Sequence, residues 1–204
     1  MAIITSYATL QTAIADYLAR SDLMTFLPNF TQAWEEDFLR EPLNWASWME
    51  ADLSETITGG VAGVPDDYLG LRIAYISGQN SAPLKRISLD QLYQRYPRSS
   101  SSGVPCYIAR NGANFQFGPI PSDGGSLVGT YYAKPDPIRT TSNFLLTDCP
   151  DLCLYGSLLA AEPFLKNDAR VALWQAMYER QLASYRNRFK EEDFSGSPPH
   201  TVVV

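Results

Sequence analysis

The hydrophobic period of this chain changes twice, and these changes restrict the fold more than any single motif does. Residues 5–20 and 28–41 repeat apolar side chains at helical spacing. Thr5 or Ser6 can cap the first helix, and Pro28 is tolerated in the first turn of the second. The middle of the chain instead alternates or is broken by Gly and Pro, and the helical period returns only near the C-terminus.

The two helical blocks are far apart in sequence, so they must close over the middle block to share a core. We therefore predict an α+β fold in which N- and C-terminal helices form a helical bundle, with an inserted small antiparallel β domain and an extended C-terminal tail. The predicted division is 1–42 for the N-terminal helices, 43–147 for the β-rich insertion with one short helix, 148–193 for the C-terminal helices and 194–204 for a partner-binding tail.

The predicted insertion is recognised by alternating apolar and polar residues and by clusters of Gly and Pro. Alternating residues from Trp45 to Leu53 favour a strand, and the glycines and prolines of residues 58–65 favour a loop. Further strands are predicted in the second half of 68–76 and at 84–88, 106–110, 114–118 and 127–133.

Capping and turn residues predict the connections between these strands. Ser88 can cap a short helix that Pro97 stops. The dipeptide Asn111-Gly112 predicts a hairpin, and residues 122–125 predict a second turn. The last three strands are therefore expected to form an antiparallel meander.

Two further helices are predicted after the insertion. Asp148 or Asp151 can cap one that runs to about Ala161, where Pro163 ends or kinks it. A regular stripe over 171–189 predicts a long amphipathic helix.

The last eleven residues show neither a helical period nor a core-sized apolar set. They would span roughly 35 Å when extended, and they end in three β-branched valines. This pattern is typical of a strand donated to the edge of another sheet. The predicted partner-binding residues are Phe194, Ser195, Pro198, Pro199, His200, Thr201, Val202, Val203 and Val204.

Net charge argues against several function classes. The chain has 16 Lys and Arg against 22 Asp and Glu, a net charge of −6. It lacks the basic stripe with which proteins that read DNA or RNA sequence neutralise phosphates, although DNA could pass it without being held. No stretch approaches the ~20 apolar residues of a membrane span, and no leader is evident, so we expect a soluble, cytosolic product without a membrane partner.

Catalytic and metal-binding patterns are weak. His200 is the only histidine, and Cys106, Cys149 and Cys153 lack a zinc-like pair, so we expect reduced structural thiols and no metal or cofactor. Glu35 and Asp37 could be considered as glycosidase acids, but consecutive helical residues point about 100° apart and do not face each other across a bond.

A surface role suits the remaining candidates better. Glu35, Glu36, Asp37 and Glu41 are expected on the polar face of the second helix, and aromatic residues on core or subunit surfaces. The candidate subunit-interface residues are Glu35, Glu36, Asp37, Arg40, Trp45 and Trp48.

Several blocks resemble the head-to-tail adaptor (connector) proteins of tailed bacteriophages. They are residues 7–23 leading into the second helix, Val64-Pro-Asp-Asp-Tyr-Leu69, Pro105-Cys-Tyr-Ile108, Tyr131-Tyr-Ala133 and, most specifically, the eighteen residues that begin Asp151-Leu-Cys-Leu-Tyr-Gly156. At 34–37 this chain has Trp-Glu-Glu-Asp, where relatives tend to carry a smaller and more basic stretch.

The resemblance implies a structural virion protein rather than an enzyme. It implies a homo-oligomeric, dodecameric ring under the portal dodecamer, with a downstream tail, nozzle or stopper protein docked on it as second partner. The ring would extend the DNA channel and allow non-specific passage of double-stranded DNA. The six candidate interface residues would then line this channel or join neighbouring subunits. The expected location is the neck of the virion, with assembly in the host cytoplasm, and the tail residues are expected to bind the portal. A tail completion or tube-terminator protein is the main alternative, and a cell-wall glycosidase is a more distant one.

Overall fold

The computed structural model describes residues 3–78, 82–97, 102–121, 125–165 and 169–194. Its elements in chain order are α1 (Tyr7–Leu18), α2 (Leu27–Arg40), β1 (Glu50–Thr56), β2 (Val61–Gly63), β3 (Tyr68–Ile76), β4 (Lys85–Arg86), α3 (Leu89–Arg95), β5 (Tyr107–Asn111), β6 (Asn114–Gly118), β7 (Ser126–Ala133), α4 (Phe144–Asp148), α5 (Pro150–Leu165) and α6 (Val171–Phe194). Short 3₁₀ turns occupy Ser21–Leu23, Pro42–Asn44 and Ser47–Met49. The fold of the described part is α+β, as predicted.

The chain divides into two compact units. The helical unit combines Met1–Trp48 with Pro135–Val204, and the β unit is the continuous stretch Met49–Lys134. The chain therefore crosses from one unit to the other twice, after Trp48 and before Pro135.

The starts of the N-terminal helices follow their sequence signals. Ser6 caps α1 by accepting a hydrogen bond from the Thr9 backbone N–H, and the Thr9 hydroxyl accepts one from the Ser6 N–H at 2.9 Å. Pro28 lies in the first turn of α2, where its missing N–H costs no helical hydrogen bond.

Helix α5 runs past its predicted end near Ala161, so Pro163 does not end it. The helix continues through Pro163 to Leu165. Proline has no backbone N–H, so this helix lacks one backbone hydrogen bond at Pro163.

Helix α5 lies at the centre of the helical unit, against α1, α2 and α6. Gly156 lets α2 approach closely, because a Cβ atom there would overlap the indole of Trp34. The Trp34 indole N–H in turn donates to the Tyr178 hydroxyl of α6 at 3.2 Å. One contact region thus joins α2 to α5 and α6, two helices from the other end of the sequence.

The β unit contains two sheets rather than the predicted meander. One sheet has the antiparallel order β1-β7-β3, and the other has the order β2-β6-β5-β4 with a parallel β4–β5 pair. The hairpin at Asn111 is confirmed, with Gly112 at positive φ in its turn. Strand β7, however, pairs with β1 and β3 instead of β6, so the meander is wrong.

Side-chain burial explains this pairing. Leu127 and Tyr131 of β7 point into one cluster that also contains Leu53 of β1 and Phe115 and Phe117 of β6. A continued meander would put all these strands in a single layer, whereas two sheets enclose the cluster from both sides.

The predicted strand from Trp45 begins later, at Glu50. Residues 42–44 and 47–49 instead form 3₁₀ turns, and two side chains of this segment bind the end of α2. The Asn44 amide donates to the Phe38 carbonyl at 2.8 Å, and the Trp45 indole donates to the Leu39 carbonyl at 2.9 Å. These contacts satisfy carbonyls that the helix end leaves open.

Two smaller predictions also change. Strand β2 lies inside residues 58–65, which were expected to form a loop, because Val61–Gly63 pairs with β6. Strand β3 begins at Tyr68, earlier than expected.

Candidate assembly surfaces

The acidic stretch of α2 divides into a buried carboxylate and two exposed ones. Glu35 is only 6 % exposed, whereas Glu36 and Asp37 lie at the surface and pair with Arg40 at 3.6 and 2.7 Å. The predicted placement of Glu35 on the polar face is therefore wrong. Its helical position aligns it with the buried residues Thr31 and Phe38, four before and three after it.

Glu35 forms hydrogen bonds with the segment that follows the β unit in the sequence, after Pro135. Its Oε1 accepts a hydrogen bond from the buried Ile138 N–H at 2.9 Å and a longer one from the Asn143 side-chain amide at 3.5 Å. Asn143 also donates to the Asp136 carbonyl at 3.1 Å, and its Oδ1 caps α4. A buried carboxylate requires such partners to offset its lost hydration.

Trp48 is the last residue of the helical unit before the chain enters the β unit, and its side chain packs inside the helical unit. Its indole N–H donates to the Tyr185 hydroxyl at 3.0 Å, and its ring stacks on Phe144 with a centroid separation of 5.3 Å. The Tyr185 hydroxyl donates onward to the Asn44 carbonyl at 2.8 Å. Burial raises the pKa of Tyr185, partly opposed by the Trp48 hydrogen bond. Trp48 and Trp45 are thus half-buried packing residues of the helical unit.

The helical unit contains a series of hydrogen-bonded polar side chains that local sequence patterns do not predict. The Gln11 amide of α1 donates to the Thr31 hydroxyl of α2 at 3.0 Å, and the Ser157 hydroxyl of α5 lies 3.2 Å from the same oxygen. Ser157 also donates to the Cys153 carbonyl at 2.7 Å. Thr31 and Ser157 occupy core positions on helix faces that are otherwise apolar. A polar residue at such a position is the sequence feature that could indicate a buried hydrogen bond.

The sequence model of one family, described as SU10 adaptor protein, matches residues 5–202. The chain belongs to this family. It is a head-to-tail adaptor of tailed bacteriophages, a structural class of virion protein located at the neck. No curated protein matches the sequence.

Burial counts against a reactive role for two of the three thiols, Cys149 and Cys153. Cys106, Cys149 and Cys153 are all free. Burial raises the pKa of the Cys149 thiol, and complete burial raises that of Cys153 well above its usual value. A reactive thiol requires the opposite shift.

The glycosidase alternative gains no geometric support. Glu35 is buried and occupied by a backbone N–H, whereas Asp37 is exposed and paired with Arg40. This arrangement does not place the two carboxylates on either side of a cleft. Within the described ranges there is no group of three or more His, Cys, Asp or Glu residues that could hold a metal ion.

Most of the predicted partner-binding tail lies outside the described residues. Phe194 is described and is the last residue of α6, while the remaining predicted positions, from Ser195 to Val204, fall beyond the described part. Among the described helices, none has the length and apolar character needed to span a bilayer.

Proposed function

We propose that the adaptor forms a dodecameric ring on the portal, continues the channel for double-stranded DNA and docks a tail, nozzle or stopper protein on its other side. The observation that carries this proposal is the family match over residues 5–202. The role is structural, without catalysis or a cofactor, and it is exercised in the virion neck after assembly in the host cytoplasm. In this proposal the helical unit is the bundle that builds the ring wall.

The charge distribution supports a passive channel. Residues 1–48 and 135–204 contain fifteen acidic and nine basic residues, a net charge of −6, whereas residues 49–134 contain seven of each. We assign Glu36, Asp37 and Arg40 to the channel or to a subunit contact, since all three side chains are exposed. An acidic wall releases no counterions from DNA and so does not bind it.

The portal contact is assigned to the tail. Residues 195–204 follow α6 in the sequence, and in this proposal they reach the portal. Strand addition would use the backbone of Val202, Val203 and Val204 for affinity and their alternating side chains for register. The half-exposed faces of Trp45 and Trp48 are assigned to contacts between neighbouring copies.

Co-sedimentation with purified portal tests this function. The full chain should sediment with portal, and a chain that ends at Phe194 should remain folded by circular dichroism but lose most binding. A control chain with the last ten residues scrambled keeps length and composition and should also fail. Binding to purified tails instead of portal would favour a tail completion protein, and undiminished binding of the truncated chain would refute the role of the tail.

DNA release tests the channel assignment. Replacing Glu36 and Asp37 with Lys should slow genome ejection from assembled particles, more strongly at low salt, because each new lysine can hold a phosphate. Asp52→Lys, at an exposed position of the β unit, adds positive charge elsewhere and serves as the control. Equal ejection by all variants would remove Glu36 and Asp37 from the channel.

A further inference from the structure

An apolar groove lies between the N-terminal segment, α1 and the start of α5. Its volume is about 360 Å³, and its apolar lining comprises Ile3, Ile4, Ala13, Tyr17, Pro150 and Leu154. Ala13 and Leu154 are buried and form its floor, whereas Ile3 is 80 % exposed at its edge. The groove lies wholly within the helical unit.

Two carboxylates flank this apolar floor. Asp16 on α1 and Asp151 in the first turn of α5 both line the groove and are exposed. Neither forms a salt bridge with any residue that the structure describes. An apolar groove with two unpaired acids matches a helix that presents a large apolar side chain together with a cation.

Helix α6 of the same chain presents such a face. Leu173 is 63 % exposed, and Ala176 and Arg180 follow it at i+3 and i+7, so the three side chains share one exposed face. Arg180 has no ion pair within the described ranges. The neighbouring acid, Glu179, is engaged by the Gln175 amide at 2.7 Å.

We propose that the groove of one copy receives the Leu173–Arg180 face of α6 from the neighbouring copy. Leu173 enters the apolar floor, and Arg180, roughly 10 Å farther along the helix, pairs with Asp16 or Asp151. Groove and helix face are different surfaces of one chain, so this contact is heterologous and repeats around a closed ring. The inference rests on the proposed ring and names the surfaces that build it.

Cysteine cross-linking tests the contact. In a full chain with Cys106→Ser and Cys149→Ser, Ile4→Cys and Leu173→Cys are introduced singly and together, while the buried Cys153 stays. Under mild oxidation, alone at high concentration and on portal, the double variant should give a ladder of multimers. A mixture of the two single variants should stop at dimers, because each chain then has one reactive surface.

Charge exchange provides the second readout. Asp16→Lys and Arg180→Glu should each lower the yield of the ladder about tenfold, and their combination should restore it. Loss through misfolding would not be restored in this way. Asp52→Lys, which lies outside both surfaces, should leave the yield unchanged.

Portal binding is scored separately, which keeps the two proposals distinguishable. A ladder with the expected charge pattern supports the contact whether or not portal binds. Folded chains that give no ladder in either setting, a ladder insensitive to both charge variants, or cross-links from Ile4→Cys to portal would overturn it.

Discussion

The two units of the adaptor stabilise their interiors by different means. In the helical unit the buried residues include four polar ones, Thr31, Glu35, Asn44 and Ser157, whereas Gln116 is the one buried polar residue of the described β unit. The helical unit is assembled from two distant pieces of chain, and its buried polar groups bind pieces to each other. The β unit is continuous and relies on one apolar cluster and on close backbone approach.

This difference also separates the charge. The helical unit carries the whole net charge of −6, and the β unit is neutral. Residues 1–60 contain nine acidic and two basic residues, but three of these acids, Glu50, Asp52 and Glu55, belong to the β unit. Acidity is therefore a property of one folded unit rather than of one end of the chain.

The largest effect is expected at Gly129 in β7. A Cβ atom there would overlap the Ile73 carbonyl and the Ala74 backbone of the adjacent strand, and a backbone cannot rotate away. Gly129→Ala should lower the free energy of unfolding by about 3 kcal/mol. Hydrogen exchange read by mass spectrometry should rise in β1, β3 and β7 first. Gly103→Ala is the control, since its Cβ would meet only Pro119 at an ordinary 3.5 Å.

The same substitution at Gly156 probes the helical unit. Helix propensity alone predicts that Gly156→Ala stabilises α5 by about 1 kcal/mol, whereas overlap with the Trp34 indole predicts a net loss of about 2 kcal/mol. Denaturant unfolding gives the sign. Trp34→Phe makes the side chain that faces Gly156 smaller, so in the double variant Gly156→Ala should cost less stability than it does alone. If the two changes in the free energy of unfolding simply add, the proposed overlap is contradicted.

Local signals predicted most helices and strands, but not their assembly. Ser6 and Ser88 cap their helices as the sequence indicates, and Asn111-Gly112 marks a true hairpin. The pairing of β7 with β1 depends on contacts between residues about 75 positions apart, which no local period encodes. The burial of Glu35 cannot be read locally for a related reason: its acceptor role depends on Ile138, which lies 103 positions away in the sequence.

Glu35 itself gives the next largest effect. Glu35→Ala should destabilise the helical unit by about 2 kcal/mol, because it leaves the buried Ile138 N–H without that acceptor. Glu35→Gln retains a carbonyl acceptor and should cost clearly less. Glu36→Ala, one residue along at the surface, should stay within about 0.5 kcal/mol of wild type. If Glu36→Ala destabilised the helical unit as much as Glu35→Ala, the loss of stability would come from the removed helix charge and not from the buried hydrogen bond.

The smallest effect is expected at Tyr131, whose hydroxyl donates to Asp67 at 2.8 Å in the β unit. Tyr131→Phe should cost about 1 kcal/mol at neutral pH, because Asp67 is exposed and can be rehydrated. Tyr75→Phe, 41 % exposed, is the matched control and should be close to neutral.

Alkaline pH sharpens this last comparison. Burial, followed by the hydrogen bond to Asp67, raises the pKa of Tyr131 to about 12, whereas an unfolded tyrosine ionises near pH 10. Between these values the folded chain retains a proton that the unfolded chain releases, so the contribution of Tyr131 to stability falls as pH rises. The wild type should therefore lose stability faster than Tyr131→Phe from about pH 10 to 12. Parallel pH curves for the two proteins would show that the Tyr131 hydroxyl is not protected by folding.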